Sequence, residues 1–348
     1  MTIALRNLRR YKAHTLITVV GLAVGIACCI LIALYVGYEM GYDRYHVNAD
    51  RLYRVEIDNW AATPIGAGPY LKKTFPGIET AVRFFRNNRT IVGTEHEMFT
   101  EKRFFFADST VFRAFTFHLI EGDPGTALSA PNSVVLTRDM AKKYFGNDNP
   151  LGKRLNVQTG RSYVLVVTGV VENLPAQSHF RFDFLASLNT LQFPQDNAKV
   201  QWAQSLVYTY VLTRSHPDIQ RMSSDLERVM HQRTNTPDTT EINAYFRPVT
   251  DIHLYSTCEK EIEPVGSIQE VYILSSVALF ILFLAVVNFI NLSTAHSMKR
   301  AREVAMRKTL GAYRLQLIVQ FVGESILLHR MDENLPGKRK KFTVKGSA

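Results

Sequence analysis

The chain has 348 residues, and its 41 Lys and Arg residues exceed its 31 Asp and Glu residues by ten. Hydrophobic residues make up 46% and charged residues 21%, which excludes an intrinsically disordered chain and a collagen. The three cysteines include an adjacent pair in an apolar segment, so a disulfide-stabilised scaffold is also excluded.

The excess positive charge lies in two segments near the ends of the chain. Residues 1–14 carry a net charge of +4 and residues 293–348 carry +8, whereas residues 15–292 carry −2. A nucleic-acid-binding protein would instead spread basic residues over a folded surface, together with aromatic residues for base stacking. We therefore predict no nucleic-acid partner, and we interpret both basic segments as flanks of membrane helices in contact with lipid.

The first basic segment, residues 1–14, precedes an uncharged apolar run of 23 residues, Thr15–Gly37. About 20 apolar residues suffice to cross a bilayer as a helix, so residues 15–37 are predicted to be the first transmembrane helix. A cleaved signal peptide is disfavoured, because its apolar region has only about 7–15 residues and ends at a small-residue cleavage site. Gly21 and Gly25 form a GxxxG motif, which predicts close packing against another helix.

Residues 38–270 are predicted to form an external domain of 233 residues. Alternating strands on either side of a short helix predict one β-α-β unit at residues 51–86 and a second at residues 206–249. Together they predict a split β-α-β domain, formed by residues 47–107 and 199–264.

The residues between the two units have a pattern of their own. A short strand is followed by a helix that begins after Thr137 and ends at Gly146. Two further strands, at residues 154–157 and 162–171, are predicted to form a hairpin. Residues 108–198 are therefore predicted to be a small α+β subdomain inserted into the split domain.

A second uncharged run, residues 271–292, is predicted to be the second transmembrane helix. Acidic residues precede this run and five Lys or Arg residues follow it within residues 299–308, so the positive-inside rule places both chain ends in the cytoplasm and residues 38–270 outside. Asn288 and Asn291, three residues apart, are predicted to form hydrogen bonds to a neighbouring helix. Neither run contains an acid or a base, which disfavours a proton-coupled carrier.

The residues after the second run show a helical pattern at Ser297–Leu310, which ends before Gly311. Glu303 precedes Arg307 by four residues, a spacing that supports a helix. Two interpretations are open: a basic helix that rests on anionic lipid, or a docking helix for a soluble partner.

We find no signature of an enzyme. The segment Gly146–Arg154 resembles a phosphate-binding loop superficially, but five residues instead of four separate its glycines, and Arg154 stands where Ser or Thr is required. The ten histidines and Cys258 do not show the spacing of metal ligands or of an activated nucleophile. We therefore predict no catalytic residue, no metal and no cofactor.

Several segments resemble MacB/FtsX-type ABC transporter permeases, and they occur in that family's order from residue 1 to about residue 328. These segments are Ile3–Lys12, the first apolar run, Tyr42–Val55, Pro131–Thr137, Ala141–Gly146, Asn149–Lys153, Asn291–Ala295 and Glu303–Ala312. The resemblance implies a multi-pass protein of the cell inner membrane, with a large porter-like periplasmic core domain.

The resemblance also implies a function and partners. A permease of this family couples ATP hydrolysis on a separate ABC ATPase subunit to motion of the periplasmic domain, and thereby exports substrate. Further expected partners are a second copy of the permease, as a homodimer or paired with another permease, and a periplasmic adaptor protein. The expected ATPase-docking residues are Arg302, Glu303, Met306, Arg307, Lys308 and Gly311.

The resemblance ends near the C-terminus. Residues 293–328 are predicted to be a cytoplasmic coupling segment and the start of a third, FtsX-like helix, whereas residues 329–348 form an atypical basic tail that cannot cross a membrane. We therefore expect a permease truncated before or within its third span. Two alternatives have the same topology: an FtsX-like activator of a cell-wall hydrolase, and a two-span sensory receptor.

Overall fold

The computed structural model describes residues 12–87, 89–94, 97–193, 201–215, 217–234 and 241–309. By its internal contacts the chain divides into two units, which are described separately below. A helical unit comprises the described residues 12–31 and 277–309, and a larger unit comprises the described residues within 32–276.

The described residues form helices and strands with the following bounds. The helices are α1 (Lys12–Glu39), α2 (Ala67–Thr74), α3 (Val111–Ala114), α4 (Arg138–Phe145), α5 (Ile219–Thr234), α6 (Ile252–Tyr255) and α7 (Ile268–Thr309). The strands are β1 (Leu52–Ile57), β2 (Thr63–Pro64), β3 (Ile78–Asn87), β4 (Thr90–Gly93), β5 (Met98–Glu101), β6 (Phe104–Ala107), β7 (Leu119–Glu121), β8 (Ser133–Thr137), β9 (Arg154–Gln158), β10 (Ser162–Val171), β11 (Phe184–Ser187), β12 (Ser205–Thr213) and β13 (Ala244–Pro248).

Helices α1 and α7 are apolar and largely uncovered by the rest of the chain. Within the part of the chain that is described, the stretches Val20–Glu39 and Ile268–Asn291 are long and apolar enough to cross a membrane. Leu31, Leu279 and Phe280 are each more than 60% exposed. So much exposed apolar surface is unfavourable in water and is expected where lipid covers the helix.

The strands of the larger unit form one sheet. Its order is β13-β1-β12-β3-β6-β11-β8-β10-β9-β4-β5, with β2 paired to β12 and β7 paired to β10. The first four strands are antiparallel to their neighbours, and β12 lies between β1 and β3, so the predicted β-α-β arrangement is split. Val55, Leu71 and Leu226 fill the core between these strands and helices α2 and α5.

The other end of the sheet carries the predicted strand, helix and hairpin. Strands β9 and β10 pair antiparallel, and β8 pairs parallel with β10. Helix α4 packs Met140 and Tyr144 against the buried Leu136 and Phe184. Gly146 ends the helix with φ of +61°, a conformation that glycine adopts without strain.

Strand pairing joins the two predicted parts of the domain. Strands β4 and β5, which the prediction grouped with residues 47–107, form a hairpin that pairs with β9 of the inserted part. Strand β6 pairs with β3 on one side and with β11 on the other. The sheet is therefore continuous between the residues assigned to the split domain and those assigned to the inserted subdomain. The pairing of distant strands leaves no local pattern in the sequence, which is why the prediction missed it.

An aromatic core covers the opposite face of the central strands. The rings of Phe84 and Phe180 lie 4.5 Å apart and those of Phe105 and Phe180 lie 4.8 Å apart, distances typical of interacting aromatic pairs. Tyr210 of β12 is fully buried in the same cluster. The predicted fold class is confirmed: a membrane protein with two apolar helices and an α+β domain between them in the sequence.

Candidate functional site

The helical unit brings α1 and α7 into contact at small residues. A Cβ atom on Gly25 would lie 3.5 Å from Ile281 and 3.9 Å from Ala285. The Cys29 thiol donates a hydrogen bond of 3.3 Å to the carbonyl oxygen of Ala278. Close approach of backbones at small residues is the usual mode of helix packing in lipid.

The other predicted helix-packing residues differ in how far they are buried between α1 and α7. Nothing lies within 4 Å of a Cβ atom on Gly21, so the two glycines of the motif do not share a described partner. Asn288 is half-buried and continues the half-buried positions of α7 at residues 278, 281 and 285, whereas Asn291 is exposed. Asn288 therefore lies on the packed face of α7, and Asn291 lies off it.

The predicted docking residues lie on the last turns of α7. This helix has 42 residues and continues from the second apolar stretch to Thr309 without interruption. Arg302 and Met306 are exposed side chains one helical turn apart. Glu303, Arg307 and Lys308 belong to the same turns of the helix, and Gly311 lies outside the described residues. The pattern predicted at Ser297–Leu310 is thus, as far as Thr309, the end of the second apolar helix.

In the larger unit, a buried carboxylate lies in the turn between α1 and the external domain. Asp43, four residues beyond the end of α1, is fully buried with a positive φ of 59°. Its carboxylate accepts hydrogen bonds of 3.2 Å from the backbone N–H of His179, and the Nδ1 atom of His179 lies 2.9 Å from it. The other ring nitrogen of His179 lies 2.8 Å from the Tyr210 hydroxyl group. Asp43 therefore joins the end of α1 to the central strand β12.

His46 lies in the same buried cluster, and its pKa is lowered to about 4. Burial is the main cause; the nearby Asp43 carboxylate opposes it, and His179 adds to it. The backbone N–H of Thr116 donates a hydrogen bond of 3.1 Å to His46 Nδ1, and the ring packs against Phe115. The folded protein thus holds this imidazole neutral.

We expect this histidine to make the external domain less stable in acid. Below pH 6.5 the unfolded chain binds a proton at His46, whereas the folded chain does not until about pH 4. Stability is therefore lost as the pH falls from about 6.5 to 4, with a loss of about 2 kcal/mol between pH 7 and pH 5. Urea titrations of the full chain in neutral detergent would measure it by tryptophan fluorescence, because both tryptophans, Trp60 and Trp202, lie in the external domain.

The matched variant is His46→Asn, whose side-chain oxygen can still accept the N–H of Thr116. Its unfolding free energy should change less between pH 7 and pH 5 than that of the wild type, by about 2 kcal/mol. If the unfolding free energy of the two proteins falls equally between pH 7 and pH 5, His46 is not the group that causes the loss of stability in acid.

The outer ends of the two apolar helices meet at a second histidine of the same unit. His253 Nε2 lies 2.7 Å from a carboxylate oxygen of Glu39, and the His253 ring stacks on Tyr42 with 3.4 Å between centroids. Gly266, just before α7, donates its N–H to the His253 carbonyl at 2.8 Å. A Cβ atom on Gly266 would lie 2.9 Å from a carboxylate oxygen of Glu39 and 3.0 Å from His253 Nε2, so a larger residue would displace these side chains.

The segment before the second apolar helix, residues 256–263, crosses the sheet and is held there by buried charges; we name it the connecting segment. Arg54 of β1 is fully buried and binds both carboxylate oxygens of Glu261, at 2.6 and 2.7 Å. Glu56 bridges Arg54, at 2.7 Å, and Arg247, at 2.8 Å. Two cations and two carboxylates thus form a neutral network that ties the connecting segment to β1 and β13.

Further contacts hold the connecting segment along its length. The Arg86 guanidinium donates a hydrogen bond of 2.7 Å to the Ile262 carbonyl, and Tyr208 donates one of 2.8 Å to the Lys260 carbonyl. Glu263 pairs with Arg103 at 3.1 Å and with Arg181 at 3.5 Å. These partners belong to β3, β12 and residues near β6 and β11, so the segment binds both halves of the sheet.

The described residues were predicted to hold neither a metal ion nor a phosphate-binding loop, and the structure shows the following at those positions. No group of three or more His, Cys, Asp or Glu side chains among them is placed to hold a metal ion. The segment Gly146–Arg154 is a turn in which Gly152 has φ of +78° and Lys153 pairs with Asp148 at 2.7 Å. Its geometry is that of a structural connection between α4 and β9.

Sequence analysis did not find the buried network or the Asp43 cluster. A signal existed for the first: Arg54 and Glu56 alternate with apolar residues on a strand whose residues on both faces are buried. Opposite charges two residues apart on one strand face are neighbours, which can reveal a buried pair. No comparable signal existed for Asp43 and His179, which are 136 residues apart.

Two family models match the chain. That of the MacB-like periplasmic core domain matches residues 15–229, and that of the FtsX-like permease C-terminal region matches residues 275–329. No curated protein matches the sequence.

Three solved structures are similar to the external domain. A domain of a permease protein from Porphyromonas gingivalis is 21% identical, with a TM-score of 0.49, over 58% of this chain and 92% of that chain. The periplasmic region of MacB from Actinobacillus actinomycetemcomitans is 14% identical, with a TM-score of 0.42, over 59% and 91%. The extracellular domain of the noncanonic ABC-type transporter YknZ from Gram-positive bacteria is 16% identical, with a TM-score of 0.39, over 56% and 98%.

Proposed function

The chain belongs to the MacB/FtsX-like family of ABC transporter permeases, and from this membership we propose that it couples ATP hydrolysis on a separate ATPase subunit to substrate export. The family is one of inner-membrane proteins with a periplasmic domain. In this proposal the ATPase binds the end of α7, and the resulting motion of α7 reaches the periplasmic sheet through the connecting segment.

The observation that carries this proposal is the continuity of α7. Its 42 residues correspond to about 63 Å of helix, about twice the thickness of the hydrocarbon core of a bilayer. One helix therefore includes the second apolar stretch and the basic residues after it, and four residues separate its start from the connecting segment. A continuous helix moves as a rigid element, as coupling across a membrane requires.

The direct test is co-purification. The full chain should recover an ABC ATPase encoded beside it, and the chain alone should not hydrolyse ATP. Recovery of a cell-wall hydrolase on the external domain, without substrate export, would favour an FtsX-like activator and contradict the export proposal.

The proposed topology makes a separate prediction. After replacement of Cys28, Cys29 and Cys258, a cysteine at Arg161 should react with an impermeant thiol reagent in intact spheroplasts, whereas a cysteine at Arg302 should react after lysis. Both side chains are exposed, so their accessibility to the reagent depends on the membrane and not on burial in the protein. The opposite labelling pattern would contradict the orientation derived from the basic flanks.

A further inference from the structure

A cavity of about 450 Å³ opens between the turn that follows α1 and the segment around α3. Val47 and Asn48 form one side of it, and residues 112–119 form most of the other. The two sides are joined by hydrogen bonds, from the Val47 N–H to Thr116 Oγ1 at 2.9 Å and from the Asn48 side-chain amide to the Arg113 carbonyl at 3.1 Å. The volume is in the range of small-molecule sites.

The chemistry of the lining is that of a site for an anionic amphiphile. Phe112, Phe115 and Leu119 are among the apolar residues that line the wall, and Arg113 and His118 are its basic residues. Among the residues that the structure describes, no Asp or Glu lines this cavity. Arg113 is exposed and forms no ion pair among the described residues, so its guanidinium can accept an anion without losing an internal partner.

A second, neighbouring cavity differs from the first in the charges of its lining residues. It has about 650 Å³ and shares Val47 and Asn48, but Asp50 and Asp251 line it. Its Arg51 already pairs with Glu79 at 3.5 Å. Two carboxylates against one paired cation would repel an anion, so the larger cavity does not fit the same ligand.

One side of the first cavity also follows the membrane helix α1 closely in the sequence. Asn48 is nine residues beyond Glu39, where α1 ends, and residues 40–49 are folded into consecutive hydrogen-bonded turns. Val47, at its rim, is an apolar side chain that is 85% exposed. An exposed apolar rim that follows a membrane helix within ten residues of the chain favours a ligand that comes from the bilayer.

We propose that this cavity binds an anionic phospholipid of the external leaflet, with one of its two acyl chains against the phenylalanine wall and its phosphate group beside Arg113 and His118. Binding of this lipid needs no ATPase, so a failure of this inference and a failure of the proposed function are separate results.

The test uses the full chain in nanodiscs of phosphatidylcholine that contain a small fraction of photoactivatable phosphatidylglycerol. After illumination, mass spectrometry locates the labelled residues. We expect labelling within residues 112–119, at least about tenfold above that with photoactivatable phosphatidylcholine. Arg113→Gln should reduce it about tenfold, the usual size of the loss of a charge-assisted hydrogen bond.

Arg161→Gln is the matched control, because it removes an exposed arginine from the β9–β10 turn and should leave labelling unchanged. Equal labelling by the two lipids, or unchanged labelling of Arg113→Gln, would overturn the proposal. Competition by an excess of glycerol 3-phosphate as strong as that by phosphatidylglycerol would identify a site for a free anion and would also overturn it. Tryptophan fluorescence during urea unfolding checks that both variants fold.

Discussion

Replacement of Glu261 by Gln is expected to lower the free energy of unfolding of the external domain by about 3 kcal/mol. Glu261 supplies the charge that compensates Arg54, which is buried with no exposed surface. The variant would leave the cations Arg54 and Arg247 with Glu56 as the sole carboxylate of the network. An uncompensated charge in a buried site costs several kcal/mol, which exceeds the loss of the hydrogen bonds themselves.

The ionisation of the network agrees with this expectation. The hydrogen bond to Glu261 and the charges of Glu261 and Glu56 raise the pKa of Arg54 against the opposing effect of its burial. Hydrogen bonds and charges from Arg247 and Arg54 lower the pKa of Glu56, although burial acts in the opposite direction. Each ion is therefore stabilised by its partners and not by solvent. The side chain of Glu261 is 11% exposed, which places the expected loss at the lower end for buried pairs.

Urea titrations of the full chain, followed by tryptophan fluorescence, would measure this loss. The matched control is Glu79→Gln, which removes a carboxylate from the exposed pair with Arg51. Exposed ion pairs contribute about 0–1 kcal/mol, so the control should remain within that range. Equal losses of unfolding free energy in the two variants would show that burial does not increase the contribution of the network to stability.

Replacement of Glu303 by Lys is expected to reduce recovery of the ATPase by at least about tenfold. If α7 docks on a protein, a reversed charge creates like-charge contacts, which are rejected at a cost of several kcal/mol. The pair that Glu303 can form with Arg307 contributes only about 0.2–0.5 kcal/mol to the helix, so α7 should remain intact. A bulky residue in place of Gly311, just beyond the described part of the helix, should reduce recovery in the same way.

The measurement is co-purification of the ATPase with the tagged full chain from detergent extracts. Glu241→Lys is the control, since it makes the same change of charge at an exposed residue of the external domain. If the end of α7 only rested on anionic lipid, its total positive charge alone would determine how strongly it associates with the membrane. Glu303→Lys would then strengthen membrane association and leave ATPase recovery equal to that of the wild type, and docking would be refuted.

The two predictions concern opposite ends of α7, and the connecting segment lies next to one of them. It follows α6 and precedes α7 along the chain, and its contacts with Arg54, Arg103 and Arg181 reach strands of both halves of the sheet or residues beside them. A variant that loosens the segment, such as Glu261→Gln, should leave ATPase recovery unchanged, because the proposed docking residues lie at the other end of α7. The two variants therefore separate the binding of the ATPase from the attachment of α7 to the sheet.

The sequence by itself determined the features that depend on neighbouring residues. A run of about 20 apolar residues predicts a membrane helix wherever the chain folds, because the bilayer sets the length. Alternation predicted β1 and β12, and the helix predicted within residues 206–249 is α5, because each element must bury one face. Gly146 was predicted to end α4 for an equally local reason.

The tertiary structure alone decided the features that join distant residues. Strand β4 pairs with β9, and Arg54 meets Glu261 across 207 residues. The cavity beside Val47 exists because the turn after α1 packs on residues 112–119. Such contacts depend on which of many compatible strand pairings and packings the whole chain adopts, and no local periodicity records that choice. The extent of the inserted part, the buried network and the candidate lipid site all belong to this class, for that physical reason.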